Sequence, residues 1–193
     1  MIEHAPLPTL ETDRLILRAW QDSDIAPFAA LNADPEVMRF FPAPLAEADS
    51  RKIITSFADR HARTGLSPHA VQVKEIGAFI GFVGLSRVAF DAWVKDEVEI
   101  GWRLSRASWG QGYAREAARA VLNHGLTDHG LSRIVAFAPT INRPSIAVMR
   151  SVGMSRVEDG DFIHPALDRE SPLQPLEVWS ITRGSADLSG PQE

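Results

Sequence analysis

The stretch from Val98 to Ala118 constrains this chain more than any other. An alternating segment ends near Leu104, two glycines flank Gln111, and a run rich in helix formers begins at once. Glycine frees the backbone to curl so that successive N–H groups point at one spot. The first turn of the helix that follows leaves its N–H groups without internal partners and carries the positive end of the helix dipole. Together they can hold a phosphate or pyrophosphate, although a plain tight turn before a helix has the same composition.

An anion site of this kind suits either a dinucleotide or coenzyme A. A dinucleotide fingerprint opens the first strand-helix-strand unit and needs an acidic residue about 20 positions on, at the end of the next strand. Here that strand ends Val135-Ala136-Phe137-Ala138-Pro139, without a carboxylate, and no Gly-Lys-Ser/Thr follows the glycines. Coenzyme A is the better fit.

The remaining pattern mixes helices and strands. Thr12–Trp20 alternates as a strand, with Leu15 and Leu17 on one side. Asp22 and Ser23 offer caps to a segment carrying Ile25, Phe28 and Leu31, and Asp34-Pro35 caps a short second helix. Glu47–Thr64 has Ile53, Ile54 and Phe57 at helical spacing, with Gly65 as its stop. Ala70–Lys74, Ala78–Val88 and Val98–Leu104 read as strands, the latter two joined by a hairpin loop over Asp91–Asp96. Gly112–His124 reads as a helix closed by Gly125, Arg133–Ala138 as a buried strand, Asn142–Val152 as a helix and Leu176–Thr182 as the last strand. The class is α+β, or mixed α/β, with a central, mostly antiparallel, twisted sheet of about six to seven strands flanked by helices. One domain over residues 10–183 is expected, with flexible tails at 1–9 and 184–193.

Composition narrows the function classes. With 45% hydrophobic and 23% charged residues the 193-residue chain reads as one soluble globular unit. It has no cysteine, which removes disulfides, thiolate metal sites and a cysteine nucleophile. Met1–Leu10 lacks the basic start and apolar run of a secretory leader, and no apolar run approaches the roughly 18 residues that cross a bilayer. A cytoplasmic protein is the natural reading. The formal net charge of -5 argues against non-specific nucleic-acid binding and suits a cationic partner. No two of the six histidines have metal-ligand spacing, so no metal is expected.

Several segments arrive together in an order that resembles the GNAT acetyltransferase superfamily. They are Val98-Glu99-Ile100-Gly101-Trp102-Arg103-Leu104, Trp109-Gly110-Gln111-Gly112-Tyr113-Ala114-Arg115-Glu116-Ala117, Asn142-Arg143-Pro144-Ser145 and Val152-Gly153-Met154. Leu10-Glu11-Thr12-Asp13-Arg14-Leu15, Asp34-Pro35-Glu36 and Phe79-Ile80-Gly81 are similar to its branch that acetylates ribosomal-protein N-termini. The resemblance implies the GNAT fold and acetyl-CoA as co-substrate. It implies that the amides of Gln111–Arg115 hold the pyrophosphate, that the backbone groups of Trp102, Arg103 and Leu104 pair with the pantetheine arm as an added strand, and that Asn142 reaches the same arm. Trp109 replaces the Gln or Arg common at the start of this loop, beside Gly110 and Gly112.

Transfer of an acetyl group to an amine in a ternary complex needs a neutral amine and a polarised carbonyl. Glu99, in a strand between two apolar residues, is the candidate base, since partial burial raises a carboxyl pKa. Its alternative is an exposed glutamate paired with an arginine. Many relatives place a tyrosine acid where this chain has Met149, and its one tyrosine, Tyr113, lies in the loop. The resemblance offers Ser145 instead, with helix capping or a pantetheine contact as its other roles. Trp20, Glu36, Phe40, Phe41, Trp93 and His164 are the candidate acceptor-binding residues, with Trp179 beside them. The acceptor class is a primary amine, either a small molecule or a protein N-terminus, and relatives are often homodimers. A non-catalytic acyl-CoA-binding module and a nucleotide enzyme on another α/β fold are the competing readings.

Overall fold

In the computed structural model, residues 6–184 are described, and the expected tails fall mostly outside them. Eight strands form one sheet in the order β1-β2-β3-β4-β5-β6-β8-β7. These are β1 (Leu10–Glu11), β2 (Leu15–Arg18), β3 (Pro68–Val73), β4 (Phe79–Arg87), β5 (Val98–Leu104), β6 (Arg133–Pro139), β7 (Ser155–Arg156) and β8 (Leu176–Thr182). Every neighbouring pair is antiparallel except β5 and β6. The helices are α1 (Ile25–Ala33), α2 (Pro35–Met38), α3 (Glu47–Thr64), α4 (Tyr113–Thr127) and α5 (Arg143–Ser151).

Strand periodicity sorts the two faces. Val83 and Leu85 of β4 and Val98 and Ile100 of β5 pack with Ala117, Ala118 and Val121 of α4 in one buried core. The alternate residues Phe82, Ser86, Glu99 and Arg103 face the side covered by α1 and α3. There Trp20, Phe28, Phe57, Phe79 and Phe82 form a chain of ring contacts with centroids 5.0 to 6.4 Å apart.

The helix over Glu47–Thr64 has the expected bounds, and Gly65 closes it at φ 73°. Three features differ from the sequence expectation. β1 and β7 are two-residue edge strands, too short to show alternation, and they bring the sheet to eight. The strand expected over Thr12–Trp20 is confined to Leu15–Arg18. Gly125 does not close α4, which runs through it to Thr127. A Cβ there would lie 2.8 Å from both Ile134 Cδ1 and Leu85 Cδ1, so the glycine admits the close approach of helix to sheet.

Candidate active site

The parallel β5–β6 pair is in register only at Glu99↔Val135. Beyond it, β5 stays paired to β4 as far as Leu104, while β6 stays paired to β8 as far as Pro139. The two strands therefore part like the arms of a V. A cleft of about 600 Å³ occupies the opening, walled by Gly101 and Trp102 on one arm, Phe137 and Ala138 on the other, and Asn142 and Ser145 of α5. That volume lies in the range of small-molecule sites.

The glycine turn sits at one end of this cleft. Gly110 and Gly112 take φ 72° and 78°, the left-handed region, and Gly112 is the N-cap of α4 with no side chain to cap it. The N–H groups of Tyr113 and Ala114 open the helix, and the N-cap offers them no side-chain acceptor. Gly110, Gly112, Tyr113, Ala114 and Arg115 line the cleft. Gln111 lies in the same turn, and its carbonyl accepts from Arg14 Nη1 at 2.9 Å. An uncapped helix start behind two left-handed glycines fits a pyrophosphate.

Two side chains hold the turn in place. Arg14 reaches from the β1–β2 edge to Glu116 in the first turn of α4, with Nε and Nη2 at 2.7 and 2.6 Å from Oε2. Glu116 Oε1 also accepts from Thr12 Oγ1 at 2.5 Å and from the Arg14 amide at 3.0 Å. The Arg14 guanidinium lies 4.7 Å from the Tyr113 ring centroid. Burial alone would raise the Glu116 carboxyl, but these donors outweigh it and hold it below the ordinary range. Trp109 Nε1 donates to the Leu104 carbonyl at 3.0 Å, so the loop is pinned to the end of β5. One backbone acceptor that the resemblance assigns to pantetheine already carries a hydrogen bond.

Glu99 lines the cleft where the V begins. Its Oε1 accepts from Ser86 Oγ at 3.0 Å. Burial pushes its carboxyl above the ordinary range, opposed in part by the Ser86 hydroxyl and the Arg60 charge. This is neither an exposed glutamate nor one side of an ion pair. Across the cleft, the Asn142 side chain caps α5 by accepting from the Ser145 amide at 3.2 Å. Asn142 is thus the cap, and Ser145 is one of the residues lining the cleft. Met149, 1% exposed, gives an apolar wall where a tyrosine would stand in many relatives.

Residues 14–155 match the family model described as an acetyltransferase (GNAT) domain. The chain belongs to the GNAT acetyltransferases, and it is an acyltransferase. It is similar to YkkB of Bacillus subtilis (strain 168), with 32% identity over 146 residues, covering 75% of this chain and 84% of that one. It is also similar to the FsC-acetyl coenzyme A-N(2)-transacetylase of Aspergillus fumigatus, with 31% identity over 167 residues, 78% of this chain and 66% of that one. In fold it resembles the crystal structure of an acetyltransferase from Agrobacterium tumefaciens str. C58, with TM-score 0.74, 24% identity and coverage of 94% and 98%. Among the described residues, no cluster of three or more His, Asp or Glu could hold a metal, and no helix is long and apolar enough to cross a membrane.

In this GNAT chain the expected acceptor residues divide. Glu36, Phe40 and Phe41 line the cleft with Glu99. Trp20, Trp93 and His164 do not line it. Trp20 packs edge-on against Phe28 and donates to the Pro68 carbonyl at 3.0 Å, so it belongs to the aromatic layer under the helices. Trp93, 47% exposed, donates to the Gly160 carbonyl at 2.8 Å and ties the β4–β5 loop to a distant loop. His164 packs 4.3 Å from Phe90 between ring centroids, and burial lowers its pKa. Trp179 is buried in the main core. Sequence reasoning missed Phe57, Arg60 and Phe82 as lining residues and did not place the Arg103 side chain beside Phe41. The alternation Glu99, Gly101, Arg103 was the available signal, because it puts all three on one strand face.

Proposed function

We propose that this chain transfers an acetyl group from acetyl-CoA to a primary amine by direct attack with both substrates bound, Glu99 serving as the base. The observation that carries this reading is the partly buried Glu99 carboxyl at the apex of the V, beside the gap between β5 and β6. Acetyl-CoA supplies the thioester acyl group when bound. The first turn of α4 and the glycine turn suit its pyrophosphate, and the free edge of β5 suits its pantetheine arm. A carboxyl pushed upward by burial is a better proton acceptor near neutral pH, and Glu99 takes the proton the amine must lose. Ser145, which lines the opposite wall, assists the departing thiolate. A relative at 31% identity is named as an acetyl-coenzyme A N-transacetylase, in keeping with an amine acceptor.

The test is a screen of amines with acetyl-CoA, following thiol release. We expect release only with amine present, and a loss of about a hundredfold in kcat for Glu99→Gln. If acetyl-CoA binds and no amine in a broad panel yields thiol, the chain is an acyl-CoA-binding module instead.

A further inference from the structure

Arg103 projects from β5 into the acceptor side of the cleft, on the same strand face as Glu99. Its Nη1 donates to Asn32 Oδ1 at 2.7 Å, its Nε is buried without an acceptor, and its guanidinium lies 4.0 Å from the Phe41 ring centroid. None of the described carboxylates forms an ion pair with it. Arg18, another well-buried guanidinium, shows the usual arrangement: Asp24 takes its Nη1 and Nη2 at 2.7 and 2.9 Å. A guanidinium taken from water without a counter-charge is costly unless an anion arrives to meet it.

The neighbours of Arg103 hold it without neutralising it. Asn32, fully buried, donates Nδ2 to Ser50 Oγ at 3.0 Å, and Ser50 donates to the Ala46 carbonyl at 3.3 Å. This chain turns the Asn32 carbonyl toward the guanidinium and leaves other N–H donors of the five unspent. Burial accordingly lowers the Arg103 pKa to about 10, with no charge partner opposing it. Toward Glu99 the floor of the cleft is open, since a Cβ on Gly101 would meet nothing within 4 Å. Glu99 and Arg103 stand roughly 13 Å apart at Cα along the extended strand. Glu36, which lines the same cleft, has Arg39 as its ion-pair partner at 3.5 Å.

Resting on the acetyl-transfer reading above, we infer that the amine acceptor also carries a carboxylate, which Arg103 binds while the amine lies at Glu99. The arrangement disfavours a polyamine, which would bring a second ammonium against Arg103 with Arg60 nearby. Two sources share this chemistry: a free amino acid with separated amine and carboxylate, and a peptide whose N-terminal residue is acidic.

Calorimetry on the CoA-saturated protein tests the inference without requiring turnover. The ligands are ω-amino acids of three to eight carbons against their carboxamides, and N-terminal Asp and Glu dipeptide amides against the Asn and Gln equivalents. We expect the carboxylate member to bind at least about tenfold more tightly in one of the two series, which identifies the source. Arg103→Gln should reduce that preference to about threefold or less while leaving acetyl-CoA affinity within about threefold. Arg103→Lys should retain part of the preference. Carboxylates that bind no better than their amides anywhere in the panel, or not at all, would overturn the inference in the parent protein alone. So would an Arg103→Gln variant that weakens both members equally or loses acetyl-CoA binding, since the residue would then serve structure or CoA. Absence of thiol release with a carboxylate preference intact would instead count against the transfer reading.

Discussion

Ser86 and Glu99 face each other across the β4–β5 pair, and the Ser86 hydroxyl donates to Glu99 Oε1 at 3.0 Å. The bond favours the ionised carboxylate, whereas burial, the larger effect, favours the protonated acid. A carboxyl held in that balance titrates above 4.5, the ordinary value.

The acid limb of kcat/KM should therefore lie above pH 4.5, and activity should fall as pH drops through the raised value. Ser86→Ala should move the limb further up, because it removes a donor to the carboxylate. Stability runs the other way. Between 4.5 and the raised value the folded state retains a proton that the unfolded state releases, so stability falls as pH rises across that window. Glu99→Gln should abolish this decline, read as denaturation midpoint against pH. A limb at or below pH 4.5 would be evidence against Glu99 as the base.

The Arg14–Glu116 clamp couples the sheet edge to the glycine turn. Glu116→Ala leaves the donors of Thr12 and Arg14 unanswered and should destabilise the protein by about 2 kcal/mol at neutral pH. It should also weaken acetyl-CoA binding by releasing the first turn of α4. The lowered Glu116 pKa contributes stability present above 4.5 and lost as pH falls through the depressed value. A thermal scan with and without acetyl-CoA measures both effects. Unchanged ligand protection in Glu116→Ala would show that the clamp does not govern the turn.

At Gly112 the backbone adopts φ 78°, which side chains other than glycine's rarely accept. Gly112→Ala should cost about 1 kcal/mol of stability and several-fold in acetyl-CoA affinity. Gly125→Leu acts through packing instead, against Ile134 and Leu85, and should destabilise by about 2 kcal/mol. Its acetyl-CoA affinity should stay near that of the parent at temperatures where both are folded.

His69 is 3% exposed, with Nε2 at 3.1 Å from the Pro8 carbonyl, so the neutral ring donates to the segment before β1. Burial lowers its pKa from 6.5 to about 4, with the Pro8 carbonyl opposing the shift. Below 6.5 the unfolded chain takes up a proton that the folded one refuses. Stability should thus decline by about 3 kcal/mol between pH 6.5 and 4. His69→Gln, which keeps a donor for Pro8, should flatten that decline in urea titrations. An unchanged pH dependence would assign it to other groups.

The sequence by itself determined the local elements and the glycine turn. Helical spacing and Gly65 delimited α3, alternation delimited β5, and Gly110 and Gly112 marked the turn before α4. These rest on contacts between residues near in the chain, where period and glycine conformation are directly legible. Tertiary structure decided what the elements face. The separation of β5 from β6 after Glu99↔Val135, the Arg14–Glu116 clamp across 102 positions and the Asn32–Arg103 bond across 71 join residues that no local pattern pairs. It also moved Trp20, Trp93 and His164 away from the cleft, because an aromatic side chain reads alike in a sequence whether it packs a core or lines a site. Glu99 was legible as a half-buried strand carboxylate, but only the packing of β4, α3 and the parted strands around it set its burial and its bond to Ser86.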